Sequence, residues 1–208
     1  VGSTGSVNFL IIGFCMGVCN GFAIPLAHKF GAGDYKGMRG FMMNAIYLSA
    51  IFAVVMTAVT VVFCRPILEL MRTPDNIIDG AYLYIVIIFA GIPATYLYNL
   101  ISAIIRSMGD SKTPVVFLVI SSVMNIALDL VFIINLHLGV AGASLATVIS
   151  QAVSGIGCLI YSWKKFEILH PDAEERRWNS SYMKTLCGMG VPMGLQYSIT
   201  AIGSVILQ

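Results

Sequence analysis

"SSVMNIALDLVFIIN", Ser121 to Asn135, is apolar almost throughout, yet it carries Asn125 and, four residues on, Asp129. An aspartate at the centre of a bilayer-spanning helix costs about 2.5–3.5 kcal/mol. Such a residue needs a partner or a task, and which of the two depends on whether this stretch lies in a membrane.

The composition answers that. The 208 residues are 58% hydrophobic and 11% charged, with a mean hydropathy of +0.87; a soluble domain carries about 25% charged residues. Asp, Glu, Lys and Arg are absent from Val1–Ala27, Gly40–Cys64, Gly80–Ile105, Leu130–Trp163 and Thr185–Gln208. A spanning helix needs about 20 mostly apolar residues. These runs, with the stretch around Asp129, predict six transmembrane helices: Val7–Leu26, Phe41–Phe63, Ala81–Ile105, Val115–Asn135, Ala143–Trp163 and Thr185–Gln208. "AIFAVVMTAVTVVF" lacks the alternation of a membrane β-strand. The fold class is an all-α, polytopic membrane helical bundle.

Lys and Arg stay on the cytoplasmic side of a membrane. Connectors after the first, third and fifth spans hold ten of them, against Arg65 and Arg72 after the second and fourth. The first span therefore runs from outside to inside. Basic residues report topology here, and a nucleic-acid role has no support. Lys164–Lys165 and Arg176–Arg177 could alternatively form an anionic-lipid patch. The chain starts beside one span and stops inside another, with no secretory cleavage pattern, which predicts a fragment of a longer protein.

Other signals point to packing rather than chemistry. The five cysteines are scattered, and the three histidines lack metal-ligand spacing. "FGAGDYKG" lacks the lysine and hydroxyl residue of a phosphate-binding loop. No arrangement suggests a hydrolase, so an enzyme is not expected. The "NSS" at Asn179 fits a glycosylation sequon but falls in a cytoplasmic connector. Gly13, Gly17 and Gly21, and likewise Gly190 and Gly194, put small residues on one helix face, where backbones approach closely. Pro25, Pro93 and Pro192 lie within spans; proline removes a helix hydrogen bond, and Pro93, mid-span, is the hinge candidate.

Asp129 is the one ionisable residue deep within these spans. Intramembrane carboxylates usually face a cavity and mark ion or substrate pathways; a polar bridge between helices is the structural alternative. Asn125 shares its helix face. At 1.5 Å per residue, Asp129 lies about 9 Å, and Thr147 about 6 Å, from the outer ends of their spans. Asn99 lies about 9 Å from its inner end, with Asn125 about 15 Å from that side, so bending at Pro93 must close the gap. A carboxylate, two amides and a hydroxyl suit a small hard cation or a proton, and make a poor transition-metal site.

With these residues in view, the sequence resembles the multidrug and toxic compound extrusion (MATE) family of cation-coupled efflux pumps. "IPLAHKFGAGDYKGMRG" resembles that family's first cytoplasmic loop and "RSMGDSKTP" its connector before the helix bearing Asn and Asp. "NIALDLVFIINLHLGVAGASLATVISQ" is similar to the pattern that follows. The resemblance implies twelve helices in two six-helix lobes, of which this chain covers the second to the seventh. Residues 1–163 would be N-terminal lobe helices, 164–184 a cytoplasmic inter-lobe linker, and 185–208 the first helix of the C-terminal lobe. It further implies that Asn99, Asn125, Asp129 and Thr147 match a pocket for Na⁺ or H⁺ as coupling ion, whose further Asp lies on a helix outside this sequence. Partners would be small organic substrates, cationic or amphipathic, the plasma membrane bilayer, and the C-terminal lobe, with no cofactor. Two alternatives are a lipid-linked oligosaccharide flippase, disfavoured because its cavity calls for basic residues the spans lack, and a non-transporting scaffold or sensor.

The charge asymmetry predicts labelling. Single cysteines placed in Lys29–Arg39 or Lys164–Lys184 of the full-length, otherwise cysteine-free protein are expected to be shielded from impermeant thiol reagents in intact cells. Labelling of either loop from outside overturns this orientation.

Overall fold

The computed structural model describes residues 5–70 and 72–207. Val1 and Gln208, predicted limits of the first and last units, lie outside the described residues. The described chain is helix after helix, with no strand among the described residues: α1 (Gly5–Gly31), α2 (Tyr35–Val62), α3 (Cys64–Leu70), α4 (Ile78–Ala90), α5 (Ile92–Ser107), α6 (Lys112–Leu130), α7 (Val140–Lys165) and α8 (Ser180–Ile206). Four of them, α1, α2, α7 and α6 with its continuation to Asn135, are long and apolar enough to cross a bilayer. The predicted third span is not one rod: α4 and α5 meet at a 44° bend. At 27 residues α8 matches α1 in length but carries Gln196, Ser198 and Thr200, which make it less apolar. The short α3, in what the charge pattern makes a connector, is tied to α4 by a surface ion pair between Arg65 and Asp79 at 3.2 Å.

Two turns that the charge pattern assigns to the cytoplasmic side are closed by the same device. Gly33 and Gly109 adopt positive φ, +74° and +89°, a region glycine enters at no steric cost. Each is followed by an aspartate that caps the next helix. Asp34 accepts from the Gly37 N–H at 3.0 Å, and that bond, reinforced by Lys29, holds its carboxyl below the usual range. Asp110 accepts from the Thr113 hydroxyl at 2.6 Å and from the N–H groups of Lys112 and Thr113. The hydroxyl leads in keeping this carboxyl low as well. Charged caps at helix N-termini satisfy orphan donors and match the helix dipole.

The polar connector 164–184 is strapped to α2. Arg39 donates to both oxygens of Glu175, at 2.7 and 2.9 Å, with 16% and 8% of the two side chains exposed. Arg39 in turn holds the Glu175 carboxyl below its usual range. Asn44, buried on α2, donates to the Arg177 carbonyl and accepts from the Asn179 N–H at 2.9 Å. Asn179 then caps α8, accepting from the N–H groups of Ser181 and Tyr182. The residue that reads as a sequon is therefore a helix cap.

The most extensive helix pairing is between α1 and α8. A Cβ on Gly17 would lie 2.6 Å from the Met193 carbonyl oxygen, and one on Gly21 would lie 2.5 Å from the Gly190 Cα. Backbone thus meets backbone, which only glycine allows. Gly21→Ala is expected to force the helices apart and cost about 1–3 kcal/mol as overpacking, lowering the unfolding temperature in detergent. A Cβ on Gly188 would meet nothing within 4 Å, so Gly188→Ala should instead gain up to about 1 kcal/mol of helix propensity. Equal shifts for the two variants would contradict the close approach.

Candidate functional site

The α6–α7 hairpin builds the site. After Asp129 the helix widens into a π-helical turn, Val131–Asn135, in which the Leu136 N–H reaches back to the Val131 carbonyl. His137, at φ +52°, and Gly139, at φ +61°, then reverse the chain. Gly142 lets α7 start against the π turn, since a Cβ there would stand 3.0 Å from Phe132 Cβ. This tight closure sets the register of the two helices. It brings Thr147 beside Asn125, with the Asn125 amide and Thr147 Oγ1 3.2 Å apart.

In the amide orientation that satisfies both its ends, Asn125 accepts from Thr147 and donates to Asp129 Oδ2 at 3.2 Å. The other carboxylate oxygen, Oδ1, is buried and has no hydrogen-bond partner. A relay therefore runs hydroxyl to amide to carboxylate and ends on one free acceptor. Buried acceptors are rarely left unmatched. A buried carboxylate oxygen left open is chemically suited to a proton or a small hard cation. Among the described residues no group of three or more His, Cys, Asp or Glu could hold a transition metal.

The other expected members, Asn99 and Pro93, belong to α5. Asn99 donates to the Thr95 carbonyl of its own helix at 2.8 Å. It is Thr95 that crosses to α7, where its hydroxyl meets Gln151 Oε1 at 2.7 Å, one turn below Thr147. Pro93 is the second residue of α5, and the bend itself falls at Gly91. Proline cannot give an N–H to the preceding turn, and Gly91 packs bare against Val148, whose methyl carbons would lie 2.5 and 2.9 Å from a Cβ. The break is thus seated directly behind Thr147.

Sequence reasoning passed over Tyr84, a half-buried residue of α4.

Fold and site together define a multi-pass helical membrane protein with a polar side-chain cluster on one hairpin. The chain belongs to the MatE family, whose profile matches residues 1–131 of the 208. It is similar to the Bacillus subtilis proteins "Probable multidrug resistance protein YoeA", 29% identical over 95% of this chain and 44% of that protein, and "Probable multidrug resistance protein YpnP", 30% identical over 93% and 43%. The chain spans less than half the length of these curated relatives. Its fold matches a solved structure described as the outward-facing conformation of a multidrug resistance MATE family transporter, with a TM-score of 0.91 at 24% identity, over 99% of this chain and 47% of that one.

The contact between α6 and α7 is measurable. A double-mutant cycle of Asn125→Ala with Thr147→Val, followed by thermal unfolding of the full-length protein, is expected to give a coupling of about 0.6 kcal/mol, up to about 1.7, as for other hydrogen bonds between membrane helices. Strict additivity would mean that the two side chains do not interact.

Proposed function

We propose that this chain supplies residues 1–163 as N-terminal lobe helices, 164–184 as inter-lobe linker and 185–208 as the first helix of the second lobe of a multidrug efflux antiporter. The protein works in the plasma membrane and is coupled to Na⁺ or H⁺. The observation that carries the coupling is the Asn125–Thr147–Asp129 relay with its one unpartnered carboxylate oxygen. Membership of the family and the likeness to proteins named for multidrug resistance support organic compounds as cargo.

In this reading, alternating access rocks one lobe against the other around a central cavity. Asp129 holds the coupling ion in one state and releases it in the other, with Asn125 and Thr147 orienting the carboxylate. A ligand shifts a conformational equilibrium only by its differential affinity for the two states. The charge of Asp129 therefore links ion binding to the turn of the cycle. Asn99 and the break at Gly91–Pro93 complete the walls and allow the pocket to change shape.

In the full-length protein, Asp129→Asn is expected to insert and fold, because the amide has nearly the same shape and is easier to bury, yet to lose ion-driven efflux. Thr147→Ala removes a neutral ligand and is expected to weaken the ion response less. The measurement is efflux from proteoliposomes under imposed Na⁺ or H⁺ gradients at matched protein levels. Parental rates for Asp129→Asn under both gradients would make the carboxylate structural and end this mechanism.

A further inference from the structure

The cysteines are scattered in sequence, yet the bundle brings one of them to a methionine sulfur, with a second thiol a helical turn away. Cys15 and Cys19 of α1 are both fully buried, and residues at i and i+4 share a helix face. Met56 of α2 stands against the first of them. The Cys15 thiol donates to Met56 Sδ at 3.9 Å, and the hydroxyl of Tyr96, from α5, donates to the same sulfur at 3.3 Å. A thioether is a weak acceptor, and taking two donors makes this one a polar junction of three helices rather than filler. A thioether also lies outside the sets of His, Cys, Asp and Glu that form no metal cluster among the described residues.

The sulfur–sulfur separation suits a shared ion. A metal–sulfur bond is about 2.3 Å. An ion bonded to both sulfurs, 3.9 Å apart, would therefore subtend about 115° between them, close to trigonal. Trigonal geometry calls for a third ligand, and Cys19 offers one from the same face of α1. Thiolate and thioether are soft donors, which select monovalent copper over hard cations. Zinc draws its ligands from Cys, His and carboxylates, so the thioether counts against it. One ionised thiol also balances a monovalent ion, where unpaired charge is costly. Tyr96, 2% exposed, keeps Met56 aimed by its hydroxyl. A furrow of about 300 Å³ between α2 and α5, lined by Ala53, Pro93 and Tyr96, brings open space to within one turn of Met56.

We propose that Cys15, Cys19 and Met56 form a binding site for a soft monovalent cation, of the Cu⁺ or Ag⁺ class, in the core of the bundle. Binding exchanges the Cys15 thiol proton for the metal. The S–H bond breaks, a sulfur–metal bond forms and the proton leaves to solvent, with no change of oxidation state. The ion then joins α1 to α2 by bonds where the metal-free protein has one weak thiol–thioether contact. The site shares no residue with the Asn125–Asp129–Thr147 relay and stands independently of the efflux reading.

The test uses the full-length protein with every cysteine except Cys15 and Cys19 replaced by alanine, in detergent and without oxygen. Cu⁺ is titrated into it in competition with the chromophoric chelator bicinchoninate. One Cu⁺ per protein is expected, and that equivalent should raise the unfolding temperature, since a ligand held by the folded state stabilises it. Met56→Leu conserves volume, a change that cores tolerate. It should weaken Cu⁺ binding about tenfold or more, because losing even an outer partner of a metal ligand costs that much. Cys15→Ser should abolish the stoichiometric binding. X-ray absorption at the copper edge of the parental protein should show three sulfurs at about 2.3 Å. Undiminished affinity in Met56→Leu, or a shell of two sulfurs, overturns the proposal, because thiols alone would then capture the metal and the Met56 contact would be packing only. So does Zn²⁺ displacing Cu⁺ at equal concentration. Unfolding temperatures of the metal-free variants, expected at the parental value, separate a lost site from a lost fold. The absorption measurement needs no variant at Met56 and decides on its own if one fails to fold.

Discussion

Inside hydrocarbon, every backbone amide must find its partner within the protein, and most of this molecule follows from that constraint. It forces helices throughout and dictates how they are allowed to stop. Asp34, Asp110 and Asn179 each cap a helix start with side-chain oxygens. Where helices are interrupted at depth, the freed groups are re-paired locally. The π turn after Asp129 uses bonds one residue longer than usual, and the Gly91 N–H is shared between the Ile87 and Ile88 carbonyls. The first of these follows Asp129 and the second packs against Val148, the neighbour of Thr147.

The fold class was legible because a bilayer writes its thickness into sequence as long uncharged runs. The relay of Asn125, Asp129 and Thr147 was legible too, because helical rise converts residue number into depth. Positions that depend on what a neighbour presents were not. Pro93 announces a weak point by its chemistry, but the bend sits at Gly91, where Val148 of a distant helix demands a residue without a side chain. Nor does sequence show that the Asn99 amide donates to the Thr95 carbonyl of its own helix. Asn179 was read by local pattern as a sequon, and packing against α2 makes it a helix cap.

A pocket that holds one carboxylate with one free oxygen is poised rather than complete. Removing a charged group from water is costly unless it is paired, and Asp129 has one amide on one oxygen. Full hydrogen bonding would make the residue an inert strut. Leaving one acceptor open makes its surroundings sensitive to whatever arrives there.

The attachment of α8 has a kinematic consequence. Its first residue hangs from Asn179, which is tied to Asn44 of α2, and its middle is seated against α1 at Gly190 and Gly194. Two supports along a rod remove its freedom to tilt, and the flat glycine contact removes much of its freedom to spin. Pro192 lies within the seated region and lacks the N–H that would stiffen it. Any swing of the outer third of α8 must therefore be taken up as flexure at that proline. The connector, lashed to α2 by Arg39 and Glu175, transmits displacement to the start of α8 as a bracket would, not as a slack tether.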